Sequence, residues 1–320
     1  MSVTSCDQDT HTQLPEPEQR IELRSGATVS TNGVSSPRFI FNDELSFEGF
    51  IQQLNTYNID SFLTTLTPYN YQSFYNRTGV HLDSVDTFDE PVLEAILNAY
   101  GVVEIDGYLI KMHPTWDRIY VLPNTASPAD QQAFERAASD VDVSALPIPT
   151  ATMPLDCDFF GVLDANNGVI PPNLDCSSQA SSGKRCSINR AIKAEVIYGC
   201  ERGYRASLEI RYRSFGFLKR LRVIFQHVEL GNAPLGITTP APVDFDREVT
   251  AEWLRRNSSN LNLFNEDFNG FEPGSLFNDG DESLYTGTRC LTSGSVTASM
   301  RFRDRCDGRI RQLGPITLTF

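Results

Sequence analysis

The chain predicts an α+β fold, with a small helix-plus-hairpin domain followed by a mostly antiparallel, sandwich-like β domain. Three observations carry that expectation. Apolar residues recur at helical spacing in the first part of the chain, strict alternation replaces it in the second, and a proline-rich stretch lies between them.

Residues 7–37 are rich in Ser, Thr, Pro, Gln and Gly with little periodicity, so residues 1–41 read as a flexible N-terminal tether. From about residue 42 the pattern turns helical. Ser46 is the expected N-cap, and Phe47, Phe50, Ile51 and Leu54 fall on one helix face. Ile59, Phe62, Leu63 and Leu66 repeat that spacing until Pro68 stops it. A third helix has Asp89 as its cap, Pro91 in its first turn, a stripe of Leu93, Ile96, Leu97 and Tyr100, and Gly101 as its close. Val102 to Ile105 and Tyr108 to Met112 flank Asp106-Gly107, the dipeptide favoured by a two-residue hairpin turn because both positions need positive φ. Arg118 to Leu122 reads as a further strand, and Ser127-Pro128 opens a short helix with Phe134 and Ala137 on one face. Residues 42–142 therefore form the expected α+β domain, and 143–155, with three prolines in thirteen residues, the expected linker.

Residues 156–320 read as β-rich. Tyr204, Ala206, Leu208, Ile210 and Tyr212 alternate with polar residues, as do Val296, Ala298, Met300 and Phe302, and Ile316, Leu318 and Phe320. Asp307-Gly308 marks a turn. One helix is expected to interrupt the strands, from Asp246 through Val249 and Trp253 to Arg256, with acids early and arginines late.

Six of the seven cysteines, Cys157, Cys176, Cys186, Cys200, Cys290 and Cys306, fall in this second domain. An even set in one domain reads as a disulfide framework and places the protein outside the reducing cell interior. Cys290 with Cys306 is the expected local pair, joined by a hairpin-like return. Cys6 stands apart. Thr4-Ser5-Cys6 followed by Asp7 and Asp9 resembles the end of a bacterial lipoprotein signal, so Cys6 is the expected lipidation site, and acyl chains there anchor the protein to a membrane. The alternatives are an incidental thiol at Cys6 and, if the written N-terminus is the native one, a cytoplasmic protein.

The net charge of −14 is uneven. Residues 1–150 hold 21 acidic and 7 basic residues, an excess of 14, whereas 151–320 hold 20 of each. An acidic first half disfavours nucleic acid and anionic membrane as partners. No apolar run of about 18 residues is present to span a bilayer.

Sequence motifs for chemistry are few. The four histidines are scattered without zinc-ligand spacing, and no nucleophile elbow, phosphate loop or dinucleotide fingerprint occurs, so no cofactor is expected. Asn265 to Gly270 partly imitates a calcium loop, but Leu276 stands where the bidentate glutamate belongs. Asp279, Asp281 and Glu282 are weak calcium candidates or a polar turn. Residues 184–222 carry eleven Lys or Arg against three Glu. Arg205, Arg211 and Arg213 are expected on one strand face beside Arg220 and Arg222, as a strip to receive acidic glycans, phosphate groups or the acidic first domain itself.

The stretch Asp89 to Leu122, with Leu97-Asn98, Gly101, Asp106-Gly107 and Ile110-Lys111, resembles a segment of uncharacterised secreted lipoproteins of Bacteroidetes-type bacteria, as does the Tyr204 to Arg222 region. That resemblance implies an envelope or cell-surface location and no particular activity. The expected function is a non-catalytic binding module for a glycan, peptide or protein partner. The alternative is an envelope hydrolase with paired carboxylates, which leave no sequence signature.

Overall fold

The computed structural model describes residues 20–22, 27–30, 36–55, 58–76, 88, 90–113, 116–137, 146–147, 150–171, 190–231, 238–256, 258–271 and 282–320. The fold is α+β: a mixed sheet with helices, followed by two packed antiparallel sheets.

The first layer is a seven-stranded sheet in sequence order. It comprises β1 (Arg20–Glu22), β2 (Thr28–Ser30), β3 (Arg38–Phe41), β4 (Val102–Ile105), β5 (Tyr108–Lys111), β6 (Arg118–Pro123) and β7 (Ala151–Pro154). Two segments expected to be linkers thus carry strands: β1–β3 lie within 1–41, and β7 lies within 143–155. Burial explains both, because Val29, Phe39 and Phe41 are core residues and β7 finds an open edge on β6. Asp106 and Gly107, at φ 51° and 76°, make the expected β4–β5 turn. β3 and β4 run parallel, and a tight turn cannot join parallel neighbours. The connection accordingly holds helices α1 (Glu44–Leu54), α2 (Ile59–Thr65) and α3 (Pro91–Ile96).

Asp43, rather than Ser46, caps α1. Its carboxylate accepts from the Ser46 N–H at 2.7 Å while the Ser46 hydroxyl accepts from the Asp43 N–H. Hydrogen bonding to the carboxylate, the Ser46 N–H first, holds the Asp43 carboxyl below its usual range. Phe47, Phe50, Ile51 and Leu54 are buried as their spacing requires. The Phe47 and Phe50 rings pack on Phe41 with centroids 5.0 and 5.2 Å apart. Helix α3 is shorter than its sequence stripe: it stops at Ile96, and Tyr100 is exposed.

Helix α4 (Pro128–Arg136), capped by Ser127, covers the other sheet face. Beneath it lies a satisfied polar network. Arg38 pairs with Glu104 at 3.0 Å, Asn124 donates to the same carboxylate, and Gln131 accepts from Arg38. Lys111 donates to the carbonyls of Tyr100 and Glu135, and burial pushes its ammonium down to about 8 despite Glu135 nearby.

The second half is a sandwich. One sheet contains β8 (Arg190–Gly199), β9 (Gly203–Ser214), β10 (Lys219–Leu230), β11 (Thr238–Pro240) and β14 (Glu282–Gly287). The other has the order β13 (Leu261–Glu266), β12 (Phe245–Arg255), β15 (Leu291–Arg303), β16 (Ile310–Thr319). Inward residues of both, among them Leu208, Ile210, Val223, Phe225, Val249, Ala251, Val296 and Phe302, form one core. Residues 246–256, expected as a helix, are mostly the central strand β12. Val249 and Trp253 fit either period, but Ala251 between them is also buried, and pairing on both flanks with β13 and β15 decides for the strand.

Cys306 pairs with Cys200, across 106 residues and with Cα atoms 5.6 Å apart, and not with Cys290. The β15–β16 return places Cys306 against the β8–β9 turn instead of the start of β15. Cys157 and Cys290 are also half-cystines, both fully buried. They stand at one junction: Asp158 pairs with Arg256, whose N–H donates to the Cys290 carbonyl. Cys6, Cys176 and Cys186 lie outside the described residues.

Candidate functional site

Helix α1 has a second, polar row beside its buried stripe. Glu44, Glu48, Gln52 and Asn55 recur at i, i+4, i+8 and i+11 and so share one face. That row docks on the sandwich. Glu44 pairs with Arg289, Glu48 with Arg255 at 3.0 Å, the Gln52 amide donates to the Thr286 carbonyl at 2.5 Å, and Asn55 accepts from Arg220 at 3.2 Å.

The docking leaves a partly open cleft of about 550 Å³ between the C-terminal turn of α1, the end of β12, β13 and the edge strand β14. It falls within the range of roughly 300–1,000 Å³ typical of ligand pockets. Gln52, Asn55, Arg255, Asn262 and Glu282 bring polar groups to it, and Trp253 and Ser283 to Thr286 complete its walls. Trp253 is 6% exposed and belongs to the sandwich core; its indole Nε1, without a hydrogen-bond partner among the described residues, is sealed from solvent and does not open onto the cleft. Burial raises the Glu282 carboxyl, opposed by the Arg247 guanidinium 2.9 Å away. Asn262 donates to the Trp253 carbonyl at 3.3 Å.

The arginine strip forms as one sheet face. Arg213 stands opposite Arg220 and Arg211 opposite Arg222 across β9 and β10. The chain itself covers most of it. Glu90 bridges Arg220 at 2.9 Å and Arg222 at 3.3 Å, with all three side chains at most a tenth exposed. Arg213 donates to the Phe88 carbonyl at 2.9 Å, and Arg211 is held by Glu209 at 2.6 Å. Arg205 is half-buried. The acidic first half, through Glu90 and Phe88, is thus in contact with Arg213, Arg220 and Arg222.

Asp279 and Asp281 lie outside the described residues, while Glu282 is committed to Arg247 and the cleft. Among the described residues no group of three or more His, Cys, Asp or Glu is placed to hold a metal ion. No described helix is long and apolar enough to cross a membrane. A smaller cavity of about 270 Å³ beside β12 is lined by Asp246, Arg247, Glu266 and Asp267. Asp246 is paired with Arg301, and Glu266 with Arg247.

Sequence reading missed Gln52, Asn55, Trp253, Arg255 and Asn262 as site residues. The polar row of α1 was visible in the spacing of Glu44, Glu48 and Gln52, but its partners lie more than 200 residues away along the chain. Trp253 was hidden by assignment to the wrong period. No family model, curated protein or solved structure matches the chain.

Proposed function

We propose that this protein is an exported, non-catalytic binding module that holds a small polar ligand in the cleft between α1 and the sandwich. The cleft itself, lined by the amide side chains of Gln52, Asn55 and Asn262, each with hydrogen-bonding capacity left over, carries the reading. Two further observations support it. The Cys200–Cys306 bridge closes a long loop, as suits a protein maturing in an oxidising compartment. Among the described residues lining the cleft, Glu282 is the single carboxylate, whereas glycoside hydrolysis uses a facing pair. Lipid attachment at Cys6, implied by the resemblance to envelope lipoproteins, accounts for membrane association without a spanning helix.

The test is a ligand screen of saccharides and short peptides against the native protein and a Ser283→Trp variant. Ser283 is exposed at the cleft mouth, so an indole there obstructs entry without disturbing the core. Ligands that bind native protein are expected to lose binding to the variant while its circular dichroism and melting temperature stay unchanged. Equal binding to both refutes the cleft as the site. Intact mass of membrane-fraction protein tests the anchor: acyl mass on Cys6 supports it, and an unmodified thiol removes it.

A further inference from the structure

We propose that β13 is a docking edge for a partner protein, an extended segment of which, carrying basic and apolar side chains, joins the β13–β12–β15–β16 sheet as an added strand.

The other margins of the two sandwich sheets are closed. An edge strand turns unpaired N–H and C=O groups outward, and folds blunt it with short length, proline, charge, a bulge or a cover. β11 is three residues long and ends at Pro240. β14 is bulged against β10 and lies under α1, where Gln52 donates to the Thr286 carbonyl. β8 carries Arg190, Lys193 and Glu195, and Arg190 donates to the Thr319 carbonyl of β16 at 2.8 Å. β16 itself contains Pro315, and its pairing with β15 is bulged. β13 differs. Its sequence, Leu-Asn-Leu-Phe-Asn-Glu, has no proline or lysine, and its one charged residue, Glu266, is paired with Arg247. Its register with β12 runs unbroken, and among the described residues no strand pairs with its outer edge.

Side chains decide what such an edge accepts. On the face turned away from the core, Leu261 is 52% exposed and Leu263 is 73% exposed. Leu254 and Glu252 of β12 stand opposite them. Glu252 is exposed, Glu248 follows on the same face, and neither has an ion-pair partner among the described residues. The β15 residues opposite these acids, Ser295 and Ser299, are uncharged, and Arg301 farther along that face is spent on Asp246. Two bare leucines therefore stand in front of uncompensated carboxylates. A lysine or arginine on an added strand covers a leucine with its stem and extends its charge over β13 toward the acid on β12, about 9.6 Å behind at two strand spacings. β-Branched residues suit the remaining places on that face. A second copy of the chain is a poorer occupant, because it brings the same uncompensated acids and a further net charge of −14.

Peptide titration followed through the backbone amide resonances of β13 provides the test. The probe is acetylated, amidated Thr-Lys-Thr-Val-Thr-Lys-Thr, which sets Lys and Val on one face of a strand. One control replaces both lysines with glutamate, and another replaces the valine with proline. The expected result is a saturable shift of the Leu261–Glu266 amides with a dissociation constant below about 1 mM, and at least about tenfold weaker binding of each control. Leu263→Lys changes an exposed side chain, supplies Glu252 with a cation and repels the probe. It is expected to weaken binding at least about tenfold at an unchanged melting temperature. Glu252→Gln should weaken binding about threefold at low salt, a difference that fades as salt is raised. Amides of β13 unmoved by the probe overturn the proposal, as does undiminished binding to Leu263→Lys or of the proline peptide. Equal binding of the glutamate peptide overturns the basic partner. Native protein that sediments as a dimer, and as a monomer once Leu263→Lys is made, overturns the partner in favour of a second copy.

Discussion

Two places where the first half of the chain meets the sandwich differ in how they treat polar groups. At Glu90, one carboxylate answers two buried guanidinium groups, and Phe88 gives its carbonyl to a third. At the α1 cleft, walled by β14 of the same sheet and by β12 and β13 of the other, the amides of Gln52, Asn55 and Asn262 each keep hydrogen-bonding capacity uncommitted. The first arrangement fixes how the layers sit; the second is available to something else. A concentration of charge is thus a poor guide to a binding site, because buried charge survives only when the protein itself supplies the counter-charge. The better guide is an uncharged polar group with hydrogen-bonding capacity left over beside a cavity.

The contrast is broken most severely at Glu90. Glu90→Ala strands Arg220 and Arg222 without a carboxylate, and burial already pulls the Arg220 guanidinium down. A loss of about 3–5 kcal/mol is expected in urea unfolding; a loss under about 1 kcal/mol removes the clamp from the account.

Removing the bridge with Cys200→Ser and Cys306→Ser is expected to cost about 2–5 kcal/mol, because it frees a loop of 106 residues in the unfolded chain. Ligand affinity at the cleft should be unaffected in conditions where the variant is folded, since the bridge ties the β8–β9 turn to the β15–β16 return, away from the cleft residues. Calorimetric titration beside the unfolding curve checks both halves of this expectation.

A pH series sharpens the comparison at a third buried cation. Lys219 is fully buried, donates to the Gly216 carbonyl, and is pushed by burial down to about 8 from 10.5, with Asp158 opposing the shift. Between those values the unfolded chain holds a proton that the fold does not, so stability rises with pH above about 8. Lys219→Met removes that contribution. The rise from pH 8 to 10 should shrink by on the order of 2 kcal/mol relative to native protein. An unchanged slope means that Lys219 keeps an ordinary ammonium.

The smallest effect belongs to Asn55, which touches both places through Arg220 and the cleft. Asn55→Ala is expected to cost about 0.5–1 kcal/mol alone. Combined with Glu90→Ala it should show a coupling of at least about 0.5 kcal/mol, measured as a double-mutant cycle. Strict additivity separates the clamp from the cleft.

Much of the architecture was legible before any coordinates. The stripe Phe47, Phe50, Ile51, Leu54, the Asp106-Gly107 turn, the Ser127 cap and the alternation from Tyr204 to Tyr212 all appear in the fold, because each depends on neighbours within a few residues. Short elements were less legible. β1, β2 and β7 are three or four residues long and are held by sheet pairing, so a tether and a linker were expected in their place. Of the candidate site, the sequence offered Glu282 and the acid–base asymmetry between the halves.

The sequence alone determined the fold class, the concentration of the net negative charge in the first half and the confinement of six cysteines to the second, because composition and short-range periodicity are properties of the chain itself. Only the tertiary structure decided that Cys200 meets Cys306, that Glu90 answers Arg220 and Arg222, and that Gln52, Asn55 and Asn262 line one cleft. Those outcomes depend on which distant segments become neighbours. That choice is made by the packing of whole sheets and helices, in which one local pattern is compatible with many long-range partners.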